Sequence, residues 1–129
     1  MARRLWPTGV DWLLLVGWMG VIFYWSNQVS PNVPGVEIGL IRKLMHVTEF
    51  VLLFALWWRA LHLTWPQHAP TMLRLALAAT ILYAASDELH QHFVGRDGNV
   101  VDVLIDSAMP SLIWFRLEVR RTKALLPLR

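Results

Sequence analysis

Four apolar runs divide this chain, at about residues 8–25, 39–63, 71–93 and 100–115. Each is close to the roughly 20 residues that a helix needs to cross about 30 Å of hydrocarbon. The stretches between them, SNQVSPNVPG, HLTWPQHAP and VGRDGN, carry the Pro, Gly, Asn and Asp that interrupt an apolar helix. The pattern predicts an all-α membrane protein, a bundle of four transmembrane helices. At the first helix, Pro7 and the Thr8 to Asp11 spacing match a helix entry with a capping box, which reads Asp11 as a cap and not as a catalytic acid. Arg3 and Arg4 imitate the start of a signal peptide. The run after them is long, rich in Trp and without a small-x-small site before Ser26, so it reads as a membrane helix.

Composition strengthens this picture. The 129 residues are 56% hydrophobic and 16% charged, against about 25% charged in a soluble domain. A single membrane domain over 1–129 follows. An isoelectric point near 10 raises the possibility of nucleic acid, but the bases stand at the ends of apolar runs and are not interleaved with aromatics on a polar face, which excludes that partner. With no cysteine, disulfides, iron–sulfur clusters and thiolate catalysis are excluded as well.

Charge also sets an expected orientation, because Lys and Arg are retained on the cytoplasmic side. With both termini cytoplasmic, that side receives Arg3, Arg4, Arg59, Arg74, Arg116, Arg120, Arg121, Lys123 and Arg129, and the basic stretch 116–129 lies as a tail on the anionic inner leaflet. The opposite side keeps Arg42, Lys43 and Arg96 but receives Glu37, Glu49, Asp87, Glu88, Asp97, Asp102 and Asp106. It is therefore the acidic side. Most tryptophans fall toward the ends of the runs as interfacial anchors, with Trp18 alone in mid-helix.

The candidate chemistry lies in that acidic half. With a rise of about 1.5 Å per residue, His46 is roughly 10 Å and Glu49 roughly 15 Å inside the second helix. Asp87, Glu88 and Gln91 occupy the last two turns of the third, and Asp102 and Asp106 the first two of the fourth. Lys43, His46 and Glu49, Asp87 with Gln91, and Asp102 with Asp106 recur at three- or four-residue spacing, so each helix turns a polar stripe one way. Hydrocarbon cannot solvate such stripes, so they must face the bundle interior or a wet cleft. Small residues on the third helix, Ala76, Ala78, Ala79, Ala84, Ala85 and Ser86, allow neighbouring backbones to approach.

Three separated blocks, RKLMHVTEF at 42–50, YAASDELHQ at 83–91 and GRDGNVVDVLID at 95–106, resemble the VanZ-like family of small bacterial membrane proteins in residue type, order and spacing. Val94 stands where the family pattern leads one to expect proline, and Met109-Pro110 where it leads one to expect a glycine-rich packing segment. The namesake of the family is associated with resistance to the glycopeptide teicoplanin. The resemblance therefore implies a place in the bacterial cytoplasmic membrane and a role in the cell envelope, while resistance itself does not follow from shared fold.

Four readings of the polar cluster stand open on sequence. In the first, Lys43 and Arg96 pair with Asp87, Glu88 and Asp102 only to hold helices together, with Asn99 and Asp102 at capping-box spacing. In the second, an extracytoplasmic cleft binds an anionic lipid or a lipid-linked envelope precursor, Arg42, Lys43 and Arg96 meeting its phosphates and a divalent cation bridging to the carboxylates. The third is an enzyme in which His46, Glu49 and Asp87 act as acid and base or as metal ligands, supported by Glu88, Gln91, Asp102 and Asp106. The fourth is a proton-coupled carrier, disfavoured by the scarcity of polar lining in the cytoplasmic halves and by the lack of an inverted repeat.

Overall fold

The computed structural model describes residues 5–28, 38–95 and 99–125. Four helices account for nearly all of them: α1 (Leu5–Ser26), α2 (Ile38–Thr64), α3 (Ala69–Phe93) and α4 (Val100–Leu125), with a single 3₁₀ turn at Pro66–His68 and no strand among the described residues. Among the described residues, three stretches are long and apolar enough to cross a membrane, Gly9–Ser26, Lys43–Thr64 and Pro66–Phe93. The fourth helix falls outside that class because Asp102 and Asp106 occupy its start and Arg116, Glu118, Arg120, Arg121 and Lys123 its end. Large apolar side chains such as Leu13, Val16, Phe23, Leu44, Leu82, Leu104 and Leu112 face outward. That is the surface of a protein whose solvent is lipid.

Two boundaries differ from the sequence pattern, each for a local reason. The first helix starts at Leu5, three residues before Thr8, so Thr8 is not its N-cap and Asp11 caps nothing. The Asp11 carboxylate is buried and accepts a hydrogen bond from Nε of Arg59 on α2. At the other end of the chain, residues 116–125 continue α4 and do not form a separate tail. Arg, Leu, Glu, Lys and Ala are strong helix formers, and Glu118 is anchored by Arg74 of α3 at 2.9 Å and Arg121 at 3.5 Å.

The adjacent pair α2 and α3 forms the centre. α1 and α4 each pack against that pair and, among the described residues, not against one another. The face that α3 buries runs through Leu73, Ala76, Thr80 and Ala84, and its small side chains bring α2 close. Thr80 disposes of its own hydroxyl by donating to the Ala76 carbonyl at 2.8 Å. Opposite stand Phe50, Leu53, Phe54, Ala60 and Leu61 of α2, joined by Leu15 and Ile22 of α1. Trp18, the indole away from the interfaces, satisfies its N–H on the Glu49 carbonyl at 3.1 Å.

Both departures from the family pattern find their place. Val94 caps α3 and its N–H closes on the His90 carbonyl at 3.1 Å, a bond that proline could not donate; Gly95 then takes φ of 78° and ends the helix. Pro110 lies inside α4, which passes through it, and its ring is fully buried. Lacking an N–H, it leaves the Asp106 carbonyl without a helical donor.

Candidate functional site

The buried face of α3 changes character in its last two turns. After Ala84 the same face continues as Asp87, Glu88 and Gln91, all buried. One helical turn before Phe50, α2 presents His46, whose ring lies nearly parallel to that of Phe50. One helical turn before the buried Pro110, α4 presents Asp106. His46 is eight residues into α2, Asp106 six into α4 and Asp87 six from the end of α3, so all three lie roughly 10 Å from the same end of the bundle. The polar residues extend the packing face of the fold; they do not project toward lipid.

Contacts within this layer tie three helices together. His46 Nδ1 lies 3.6 Å from Oδ2 of Asp106. The Gln91 amide donates to Oδ2 of Asp87 at 2.8 Å. Oε2 of Glu88 accepts the main-chain N–H of Asn99 at 3.0 Å. Asn99 is also the N-cap of α4, its side-chain oxygen accepting from the Val101 N–H at 3.0 Å. The Asn99 to Asp102 spacing is therefore only half a capping box. Glu88 of α3 takes the N–H that Asp102 would have taken, and Asp102 turns to Lys43 Nζ at 3.7 Å. Lys43 is 57% exposed and Asp102 31%, so this pair forms the rim over the buried layer.

One ring nitrogen of His46 and one oxygen each of Asp87 and Glu88 lie within 4.8 Å of one another. Glu49, grouped with His46 and Asp87 on sequence, is not in that 4.8 Å group but stands close enough to His46, Asp87 and Asp106 to feel their charges. Glu49 is only half-buried, and its carboxylate is without a hydrogen bond among the described residues. Glu88, a supporting residue on sequence, is the third member of the close group with His46 and Asp87. Arg96, with Asp97 and Glu37, lies outside the described residues, as does the side chain of Arg42.

Two participants escaped the sequence reading. Asn99 was visible as a cap, but its grip on Glu88 depends on how the α3–α4 turn folds back. Ser107, buried beside Asp106 with no hydrogen bond to its hydroxyl, gives no signal in a run of apolar and small residues. Tyr83 contributes below the layer, stacking obliquely near Phe50 and donating its hydroxyl to the Met19 carbonyl at 2.6 Å. Phe50, Tyr83 and Ala84 thus form an apolar floor that separates the polar layer from the rest of the core.

The sequence profile of the VanZ/LLP1 family matches residues 11–109, a stretch that holds every member of the polar layer. No curated protein and no solved structure matches the chain significantly. With most of its length covered by the profile and its polar residues assembled on apolar helices, this membrane protein belongs to the VanZ/LLP1 family.

Proposed function

We propose that this protein works at the extracytoplasmic face of the bacterial cytoplasmic membrane, where the polar layer is the floor of a cleft that receives the phosphate-bearing headgroup of an anionic lipid or lipid-linked envelope precursor. One observation carries the reading: a loosely paired, exposed cation, Lys43, stands at the rim of a buried cluster of carboxylates and histidine. A pair held at 3.7 Å and open to water is easily exchanged for a phosphate oxygen. Arg42 and Arg96 add cations near that rim by sequence, Arg96 with a fork suited to phosphate. The distribution of bases along the chain supports the assignment of this end to the outside.

Native mass spectrometry of the protein released from nanodiscs of phosphatidylglycerol or phosphatidylcholine tests this. Retention of phosphatidylglycerol over phosphatidylcholine is expected. It should fall roughly fivefold in Lys43→Ala, since a base near an anionic headgroup contributes about 1 kcal/mol, and fall similarly in Arg96→Ala. Equal retention of both lipids, or no change in either variant, removes the reading.

The contact of Asp106 with His46 Nδ1 favours a second reading, in which His46 takes a proton from a water that attacks the lipid phosphorus and returns it to the headgroup alcohol as the P–O bond breaks, while Asp106 fixes its orientation. Headgroup release from labelled phosphatidylglycerol, lost in His46→Gln while lipid retention persists, is the expected result. Unchanged release in that variant ends the acid–base role.

A further inference from the structure

We propose that His46, Asp87 and Glu88 form a binding site for one divalent metal ion of intermediate softness, Zn²⁺ or Mn²⁺. The site deepens the reading above by naming what lies under the lipid phosphate, but its occupancy does not depend on lipid. Three donors, one nitrogen and two oxygens, come from two helices and already lie within 4.8 Å of one another. Ligands about 2.1 Å from a tetrahedral centre are about 3.4 Å apart. Seating the ion therefore draws the donors together by at most about 1.4 Å. Imidazole together with carboxylate suits zinc or manganese better than calcium, which takes oxygen alone.

The surroundings supply what a metal centre requires outside its ligands. Asp106, from a third helix, engages His46 at Nδ1, which leaves Nε2 as the nitrogen for the ion and makes the ring a better donor. Gln91 holds one oxygen of Asp87 and the Asn99 N–H one oxygen of Glu88. Each carboxylate thereby keeps its other oxygen for coordination.

Charge points independently to a cation. Lys43 is taken up by Asp102, so Asp87, Glu88 and Asp106, each more than nine-tenths buried, have His46 as their one basic neighbour among the described residues. A buried carboxylate without a counter-charge costs several kcal/mol, and a divalent ion neutralises two at once. Three protein ligands leave a coordination position open. A phosphate oxygen of a lipid seated at the Lys43 rim, or a water, completes it.

The full chain, stripped with EDTA in detergent without added lipid and then reloaded with Zn²⁺ or Mn²⁺ alone, should hold close to one metal per chain by elemental analysis. Binding should weaken at least a hundredfold in His46→Ala and Asp87→Asn and between tenfold and a hundredfold in Asp106→Asn, and remain unchanged in Glu118→Gln at the opposite end of the bundle. Pulsed electron paramagnetic resonance of Mn²⁺ in the unmutated protein should detect a directly coordinated imidazole nitrogen, a readout that survives any failure of the variants to fold. Absence of stoichiometric metal, absence of the nitrogen coupling, or equal loss in Glu118→Gln overturns the site. Loss of lipid selectivity with metal binding intact would instead count against the lipid reading alone.

Discussion

Asp11 and Asp87 are both carboxylates buried within apolar helices, yet their surroundings differ in kind. Asp11 belongs to the end of the bundle where α1 begins and α2 finishes, and there each acid has a base: Arg59 for Asp11, Arg74 and Arg121 for Glu118. Asp87 belongs to the other end. There Glu49, Asp87, Glu88, Asp102 and Asp106 meet only Lys43 and His46 among the described residues. In a low-dielectric setting, an acid whose task is to hold helices together needs a base, because the pair forfeits less solvation than a lone charge. The first end meets that condition and the second does not. The contrast argues against helix registration as the whole purpose of the acidic layer, and for a cation or a ligand that completes it.

The largest effect expected from this contrast is at the paired end. Truncating Arg59 leaves a desolvated carboxylate at Asp11, a loss of about 2 kcal/mol, within the range for an orphaned buried acceptor. Arg59→Ala should therefore lower stability in detergent by that amount in denaturant titrations. The double variant with Asp11→Asn should recover most of it, since the charge that lacked a partner is gone. A tolerated Arg59→Ala would mean that Asp11 is satisfied otherwise and would erase the distinction between the two ends.

At the acidic end the sign reverses. In protein freed of metal by EDTA, Asp87→Asn removes one of several mutually repelling charges while its amide oxygen still accepts from Gln91. Stability should rise by about 1 kcal/mol, the scale of repulsion between unit charges about 4 Å apart even in water. With Zn²⁺ or Mn²⁺ present the same substitution should be destabilising relative to wild type, because ligand-linked stabilisation is lost. If Asp87→Asn destabilises the chelated protein as Arg59→Ala does, the acidic layer is structural.

Much of this arrangement was legible in the chain. The four apolar runs correspond to four helices, and for the first three hydrocarbon length and helical rise leave little freedom. Depth counting along them brought His46, Asp87 and Asp106 to one level. What was not legible depended on partners distant in sequence. Asp11 looked like a cap because Thr8 stands three residues before it, whereas its actual partner is Arg59, 48 residues on. Glu49 reads as the partner of His46 because it lies three residues on along the same helix, whereas Glu88 belongs to another helix and reads only as support. Only the packing of α3 against α2 decides that Glu88 joins His46 and Asp87. Residues 116–125 read as a basic tail on hydropathy, which does not register their helix-forming composition.

The smallest expected effect is at Glu118, and it sharpens the comparison from the paired side. Glu118 is mostly shielded, but Arg74 and Arg121 are long, water-exposed side chains. Pairs of that kind contribute at most about 1 kcal/mol and weaken as salt shortens the screening length. Glu118→Gln should therefore cost well under 1 kcal/mol in dilute buffer and almost nothing in molar salt. Arg59→Ala, whose cost arises from the buried Asp11 carboxylate, should keep most of its effect in the same salt. Equal salt sensitivity in the two variants would place Asp11 in a solvated environment, and the pair that its buried carboxylate makes with the exposed Arg59 would reduce to a surface contact like that of Glu118.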